Sequence, residues 1–144
     1  MVFVARLHLT AFRSFADAAL TFTEIRTLIV GRNATGKSTI ADAIAWCLTG
    51  RCRGLDGAGR GVSALIRSGS STMRVAVDLL TDDGPLVVVR EADAVSRSTS
   101  LAYGTSTQDL RRGGVAEIQA AIYAKLGASP AIIAMNTSLI SSSR

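Results

Sequence analysis

One histidine, His8, stands in a chain of 144 residues. That scarcity argues against a His-rich metal site or a Ser-His-Asp triad. Cysteine is nearly as sparse: Cys47 and Cys52 have neither the CxxC spacing of a redox pair nor the spacing of a zinc set. The expectation is two reduced thiols, as in the cytosol. No apolar run approaches the roughly 20 residues that a membrane helix needs. The start, residues 1–6, lacks the basic segment and long apolar stretch of a secretion signal. A soluble, cytoplasmic protein with no membrane partner is therefore expected. What is present is apolar: 48% of the residues are hydrophobic and the mean hydropathy is +0.32, too high for a disordered chain. The length suits one domain able to bury a core without staples.

The charge balance is basic, +5 with a pI near 10.0. Arginines cluster at Arg51, Arg53, Arg60 and Arg67, and again at Arg111 and Arg112. Such a balance suits a polyanionic partner, although a basic face is more often simply solvated surface.

Hydrophobic periodicity divides the chain. Residues 2–9 are strand-like, and 20–22 form a second short strand. The apolar run 26–30 ends at Gly31 and has the length of a strand buried on both faces. From Lys37 the pattern becomes helical, with Ile40, Ala41, Ile44, Ala45 and Leu48 on one stripe and Gly50 as the stop. Residues 51–61 read as a Gly- and Arg-rich loop, and 62–66 as a short helix. Met73, Val75, Val77 and Leu79 alternate with polar or small residues, so 72–80 is a half-buried strand. The cluster at 82–85 turns the chain into a return strand, 86–90, and a third strand lies near 97–103. Val115, Ile118, Ala121, Ile122 and Leu126 form a second helical stripe, closed by Gly127; Pro130 opens another short helix. No internal repeat and no heptad run is present.

The chemistry concentrates at Gly31-Arg32-Asn33-Ala34-Thr35-Gly36-Lys37-Ser38, which fits G-x-x-x-x-G-K-[ST]. The glycines let the backbone curl so that successive N–H groups face an anion. The helix behind the loop adds its N-terminal dipole. Lys37 reaches the β- and γ-phosphates as a mobile point charge, and the Ser38 hydroxyl is a ligand for Mg²⁺. Thr39 adds a hydroxyl on the α-phosphate side. A strand before and a helix after are the context that the motif requires, and both are expected here. The nucleotide is read as ATP with Mg²⁺.

Hydrolysis needs more: a second carboxylate-bearing strand to hold Mg²⁺ and orient water. The run Val75-Ala76-Val77 leads to Asp78, but Leu79 comes next and Asp78 also suits the polar face of the hairpin. Leu86 to Val89 leads to Arg90-Glu91, a poorer match, and no Leu-Ser-Gly-Gly signature occurs. The chain holds half of an ATPase.

At these residues the chain resembles the N-terminal lobe of ABC-type ATPase heads in the structural-maintenance-of-chromosomes (SMC), RecN and SbcC-type DNA-repair proteins. The likeness rests on Leu7-His8-Leu9-Thr10-Ala11-Phe12-Arg13-Ser14-Phe15, on Leu28-Ile29-Val30 with the P-loop and Thr39-Ile40, and on Ala43-Ile44-Ala45-Trp46-Cys47-Leu48-Thr49-Gly50. Arg60-Gly61-Val62-Ser63-Ala64-Leu65-Ile66-Arg67-Ser68-Gly69 with the strand after it is most similar to the double-strand-break repair branch. The resemblance runs from about residue 2 to 91.

The resemblance implies an α/β P-loop NTPase fold, a mixed sheet with an antiparallel β-hairpin layer. Residues 1–144 would form the N-terminal lobe, and a coiled coil and a C-terminal lobe, absent from this chain, would complete the head. It implies ATP-driven engagement of two heads, each signature motif capping the other's γ-phosphate, with DNA and a nuclease as partners. Little turnover is expected of this lobe alone. Arg13 matches a basic position near the nucleotide, or is a surface charge. Arg53 and Arg60 fall in a loop where the group places basic residues near phosphates or DNA. Where the group has a Mg²⁺-contacting glutamine this chain has Ala134-Met135-Asn136-Thr137-Ser138, so Asn136 is either a shorter amide in that role or a helix-end residue. Two other readings remain: a non-hydrolysing ATP-dependent switch or DNA-binding module, and a small P-loop phosphotransferase, for which no acceptor site is visible.

Overall fold

The computed structural model describes residues 3–21, 34–51 and 62–127. In chain order they form β1 (Phe3–Phe12), β2 (Phe15–Thr21), helix α1 (Ala34–Thr49), a 3₁₀ turn (Val62–Ala64), β3 (Thr72–Thr81), β4 (Gly84–Asp93), β5 (Ser98–Gly104), the two-residue β6 (Arg111–Arg112) and helix α2 (Val115–Leu126). The apolar run 26–30, the loop 52–61 and the segment with Pro130 and Asn136 lie outside the described residues.

The strands make one sheet in the order β2-β1-β3-β4-β5-β6, each neighbouring pair antiparallel. The hairpin expected from the alternation is β3–β4, and it occupies the middle of the sheet, with β1 on one side and β5 on the other. The period of two decides which face each residue joins. Register aligns Leu7, Val77, Val88 and Tyr103 in one row across four strands. The next row is Leu9, Val75, Arg90 and Leu101. Both rows are buried on the face that carries the main core. The opposite face carries Arg6, Thr10, Arg74, Asp78 and Glu91, plus a small apolar cluster of Ala76, Val87 and Val89 against which Leu110 packs.

Helix α1 packs on β1, β3 and β4, and α2 packs on β5 and touches α1. Over positions 39–48 every side chain of α1 is buried except the half-buried Ala45. A helix covered around its whole girth belongs to the interior of a layered fold, so it needs apolar residues on all sides. α2 instead has the one-sided stripe of a surface helix: Ile118, Ile122 and Leu126 are buried. It ends where Gly127 takes φ +64 and its N–H donates to the carbonyls of Tyr123 and Ala124, a left-handed cap that glycine adopts without Cβ strain.

The turn between β1 and β2 costs more. Ala11 and Arg13 have φ of +57 and +50, worth on the order of 1–2 kcal/mol each for non-glycine residues. The segment after the 3₁₀ turn holds it in place. Arg13 N–H donates to the Leu65 carbonyl at 2.7 Å, and Arg67 N–H donates to that of Ala11 at 2.8 Å. Phe12 forms a β-bridge with Ile66, and Arg67 Nη1 donates to the Ser14 carbonyl at 2.7 Å.

Candidate functional site

The phosphate-binding motif runs into α1, which begins at Ala34. Ala34, Thr35, Gly36 and Lys37 are its first turn, whose four backbone N–H groups have no partner inside the helix. The composition of this turn works against an isolated helix. Gly36 costs about 1 kcal/mol relative to alanine. The turn has no acidic residue, although carboxylates favour the positive end of the helix dipole, and Lys37 puts a cation there. An anion held in front of the turn offsets these costs, because it accepts the N–H groups and neutralises the lysine. These residues therefore fit a phosphate group. Gly31, Arg32 and Asn33 lie outside the described residues, as do Arg53, Arg60 and Asn136.

Helical periodicity places Asp42 and Trp46 four residues apart along one face of α1. Asp42 is 5% exposed, and so is Thr39. Arg13 Nη1 donates to Asp42 Oδ2 at 2.7 Å. Arg13, expected near the nucleotide or at the surface, is thus placed against α1, at a residue four positions beyond Ser38 in sequence. The same guanidinium lies over the Phe12 ring, 5.8 Å from its centroid, and Phe12 meets Trp46 at a centroid distance of 6.5 Å.

The far end of α1 is gripped by a second arginine. Arg90 is 4% exposed, in the core row between Val75 and Leu101. Its Nε donates to the Cys47 carbonyl at 3.1 Å, its guanidinium lies 5.7 Å from the Trp46 ring centroid, and its Nη2 donates to Gln119 Oε1 on α2. Gln119 Nε2 in turn donates to the Leu48 carbonyl at 2.6 Å. Both carbonyls belong to the last turn of α1, where the helix offers no partner. Burial pulls the Arg90 pKa below its ordinary value, the Cys47 thiol and Tyr123 opposing the shift. Arginine nonetheless stays charged in proteins, and here its charge faces the negative end of the helix dipole. Cys47 is fully buried, and burial pushes its thiol up to about 12, with nearby Arg90 pulling the other way.

Asp78 pairs across the strands with Arg6 and Val87 and lies half-buried on the face away from α1. Its place is the polar side of the hairpin. Asp42, Arg90 and Gln119 were not picked out from the sequence. Alternation carried a signal for Arg90: it keeps the phase of Leu86 and Val88, both core residues. A polar residue in a helix apolar on all sides was the signal for Asp42.

A family profile described as AAA domain matches residues 6–143. The chain belongs to that family. The relatives it matches and its fold neighbours include proteins of the SMC and RecF type. It is similar to the DNA replication and repair protein RecF of Thermosynechococcus vestitus, 40% identical over 48 residues that make up 33% of this chain and 13% of that protein. It is also similar to the chromosome partition protein Smc of Myxococcus xanthus, 37% identical over 87 residues, 56% of this chain and 7% of that one. The solved structure of the recombination mediator protein RecF with ATP matches with a TM-score of 0.59 at 18% identity, over 78% of this chain and 28% of that chain. A second, titled RecF-ATPrS, gives 0.61 at 19% identity, over 84% and 29%. At these identities the solved structures bear on the fold, that of P-loop ATPases. The AAA domain chain thus matches only 13% and 7% of the length of these two curated relatives. No helix among the described residues is long and apolar enough to cross a membrane.

Proposed function

We propose that the chain is the ATP-binding lobe of a DNA-repair or chromosome-maintenance ATPase head, active in hydrolysis only when a C-terminal lobe and a second head complete it. The observation that carries this reading is the start of α1. A G-x-x-x-x-G-K-S motif enters a helix whose first turn holds a glycine, a lysine and no acid, and whose positions 39–48 are buried apart from the half-buried Ala45. In this reading the backbone from Gly31 to Gly36 and the Lys37 ammonium hold the phosphates, Ser38 holds Mg²⁺, and Thr39 and Arg13 complete the surroundings. Held there by Ser38, Mg²⁺ would supply charge neutralisation to the phosphates. Asn136 takes the place of the Mg²⁺-contacting glutamine, and Arg53 and Arg60 meet phosphates or DNA. A coiled coil, a second head, DNA and a nuclease are the partners of the completed assembly. RecF solved with ATP, and relatives named for DNA repair and chromosome partition, lend support.

Titration calorimetry of the chain with Mg²⁺-ATP tests the proposal. Saturable heat, competed by ADP and lost in Lys37→Ala, is the expected result. No heat from well-folded protein, or equal binding by Lys37→Ala, removes the site.

A further inference from the structure

We infer that Arg90 and Gln119 form a joint that sets the position of the nucleotide-binding helix, making Arg90 a positioning residue for triphosphate binding from the opposite end of α1. This rests on the ATP-binding reading of the first turn of α1.

Arg90 occupies a place in the core where an apolar residue would be cheaper. Its neighbours in the row, Val75 and Leu101, are 0% and 1% exposed, and a desolvated guanidinium is costly unless fully engaged. The engagement is directed at one structure. Nε, Nη2 through Gln119, and the guanidinium face all address the last turn of α1: the Cys47 carbonyl, the Leu48 carbonyl and the Trp46 ring. Gly50, at φ +77, leaves room for the fork, since a Cβ there would stand 3.1 Å from Arg90 Nη1.

The consequence at the other end comes from helix rigidity. The 16 residues of α1 make a rod of about 24 Å. Two carbonyls of its last turn are held by groups on β4 and α2, so its axial position and rotation are fixed against the sheet. The first turn, with the N–H groups that meet the phosphates, moves with the rod. Oriented groups lose much of their effect when displaced by about 1 Å. The fixed cation at the C-terminal end and the triphosphate at the N-terminal end also oppose the two poles of one dipole. Gln119 makes the joint two-sided, because α2 reaches α1 through it.

The test uses the full chain and calorimetry with Mg²⁺-ATP, with far-UV circular dichroism and the melting temperature as fold checks. Gln119→Leu removes the link while leaving Arg90, and Arg90→Met removes the cation. Gln119→Leu is expected to weaken Mg²⁺-ATP by about ten-fold, with a smaller ATP-induced rise in melting temperature, a coupling of ordinary size between distant groups. Arg90→Lys, which keeps a charge and one donor, is expected to bind between the parent and Arg90→Met. Gly84→Ala in the β3–β4 turn, at φ +112 with open space around it, is the control that lowers stability without touching the joint. If Gln119→Leu lowers the melting temperature yet binds Mg²⁺-ATP within about two-fold of the parent, as the control does, the residues serve stability alone and no coupling exists. That outcome overturns the joint and leaves ATP binding standing. Failure of the parent itself to bind overturns both.

Discussion

Arg13 reaches across 29 positions of sequence to place its Nη1 2.7 Å from Oδ2 of Asp42, so that an ion pair ties the strained β1–β2 turn to α1. Asp42's side chain is 7% exposed and Arg13's 28%. Arg13→Ala is expected to lower stability by about 1–3 kcal/mol, the range for hydrogen bonds to charged groups, discounted for the partial exposure of the arginine. Arg13→Gly should lose less, because glycine takes φ +50 without a Cβ penalty. Urea unfolding of the two variants measures this. Equal losses would mean that the turn stores no strain.

Lys37→Ala separates function from stability. The substitution should abolish Mg²⁺-ATP binding. In the absence of nucleotide it should leave the fold intact and even raise stability by about 0.3–1 kcal/mol, since it removes a cation from the positive end of a helix. A drop in the melting temperature of the nucleotide-free protein would show that Lys37 supports the fold itself.

Phosphate release provides a third test. The purified chain is expected to turn over ATP barely, if at all, because the sequence carries neither the signature motif nor an acid-bearing strand of the kind that orients water. Multiple turnovers by this chain alone would refute the half-site reading.

The buried thiol of Cys47 yields a pH prediction with a definite sign. In a Cys52→Ser background, Cys47 should resist thiol reagents at pH 8 and react on unfolding. Its pKa rises from 9.0 to about 12 on folding. Below about pH 9 the thiol is protonated in both states, and its contribution to stability is complete. Between 9 and 12 the unfolded thiol ionises while the folded one does not. Stability therefore falls as pH rises, by at most about 1.4 kcal/mol per pH unit. Denaturant midpoints of the parent and Cys47→Ala should diverge in slope across that range. Parallel curves would refute the shift.

Gly50→Ala meets two obstacles at once, φ +77 and Arg90 Nη1 at 3.1 Å from the new Cβ. A loss of about 1–2 kcal/mol is expected from the backbone alone. The loss should shrink when Arg90 is first replaced by methionine. Strict additivity of the two changes would show that Gly50 and Arg90 do not meet.

Several elements were legible because each depends on residues close together in the chain. The alternation at Met73, Val75, Val77 and Leu79 became β3, and the stripe through Ile118, Ile122 and Leu126 became α2. Other elements were read short. The second strand was expected at 20–22 but spans Phe15–Thr21, because an edge strand with three alanines and Asp17 among its seven residues has little apolar alternation to read. β6 has two arginines and no pattern of its own; it exists through pairing with Ala102 and Tyr103. The short helix expected at 62–66 is a 3₁₀ turn, Val62–Ala64, since Ile66 leaves the helix to bridge Phe12.

The sequence alone determined where the phosphate motif lies and that a helix follows its loop, expected from Lys37 but begun already at Ala34 inside the motif, along with the period of each strand and helix, since these are set by neighbours a few residues apart. Only the tertiary structure decided that Asp42 meets Arg13, that Arg90 grips Cys47 from 43 positions away, and that Gln119 reaches Leu48 across 71. The physical reason is that strand register and helix seating bring these groups together. Side chains so far apart in sequence leave no periodic trace of the partner they will find.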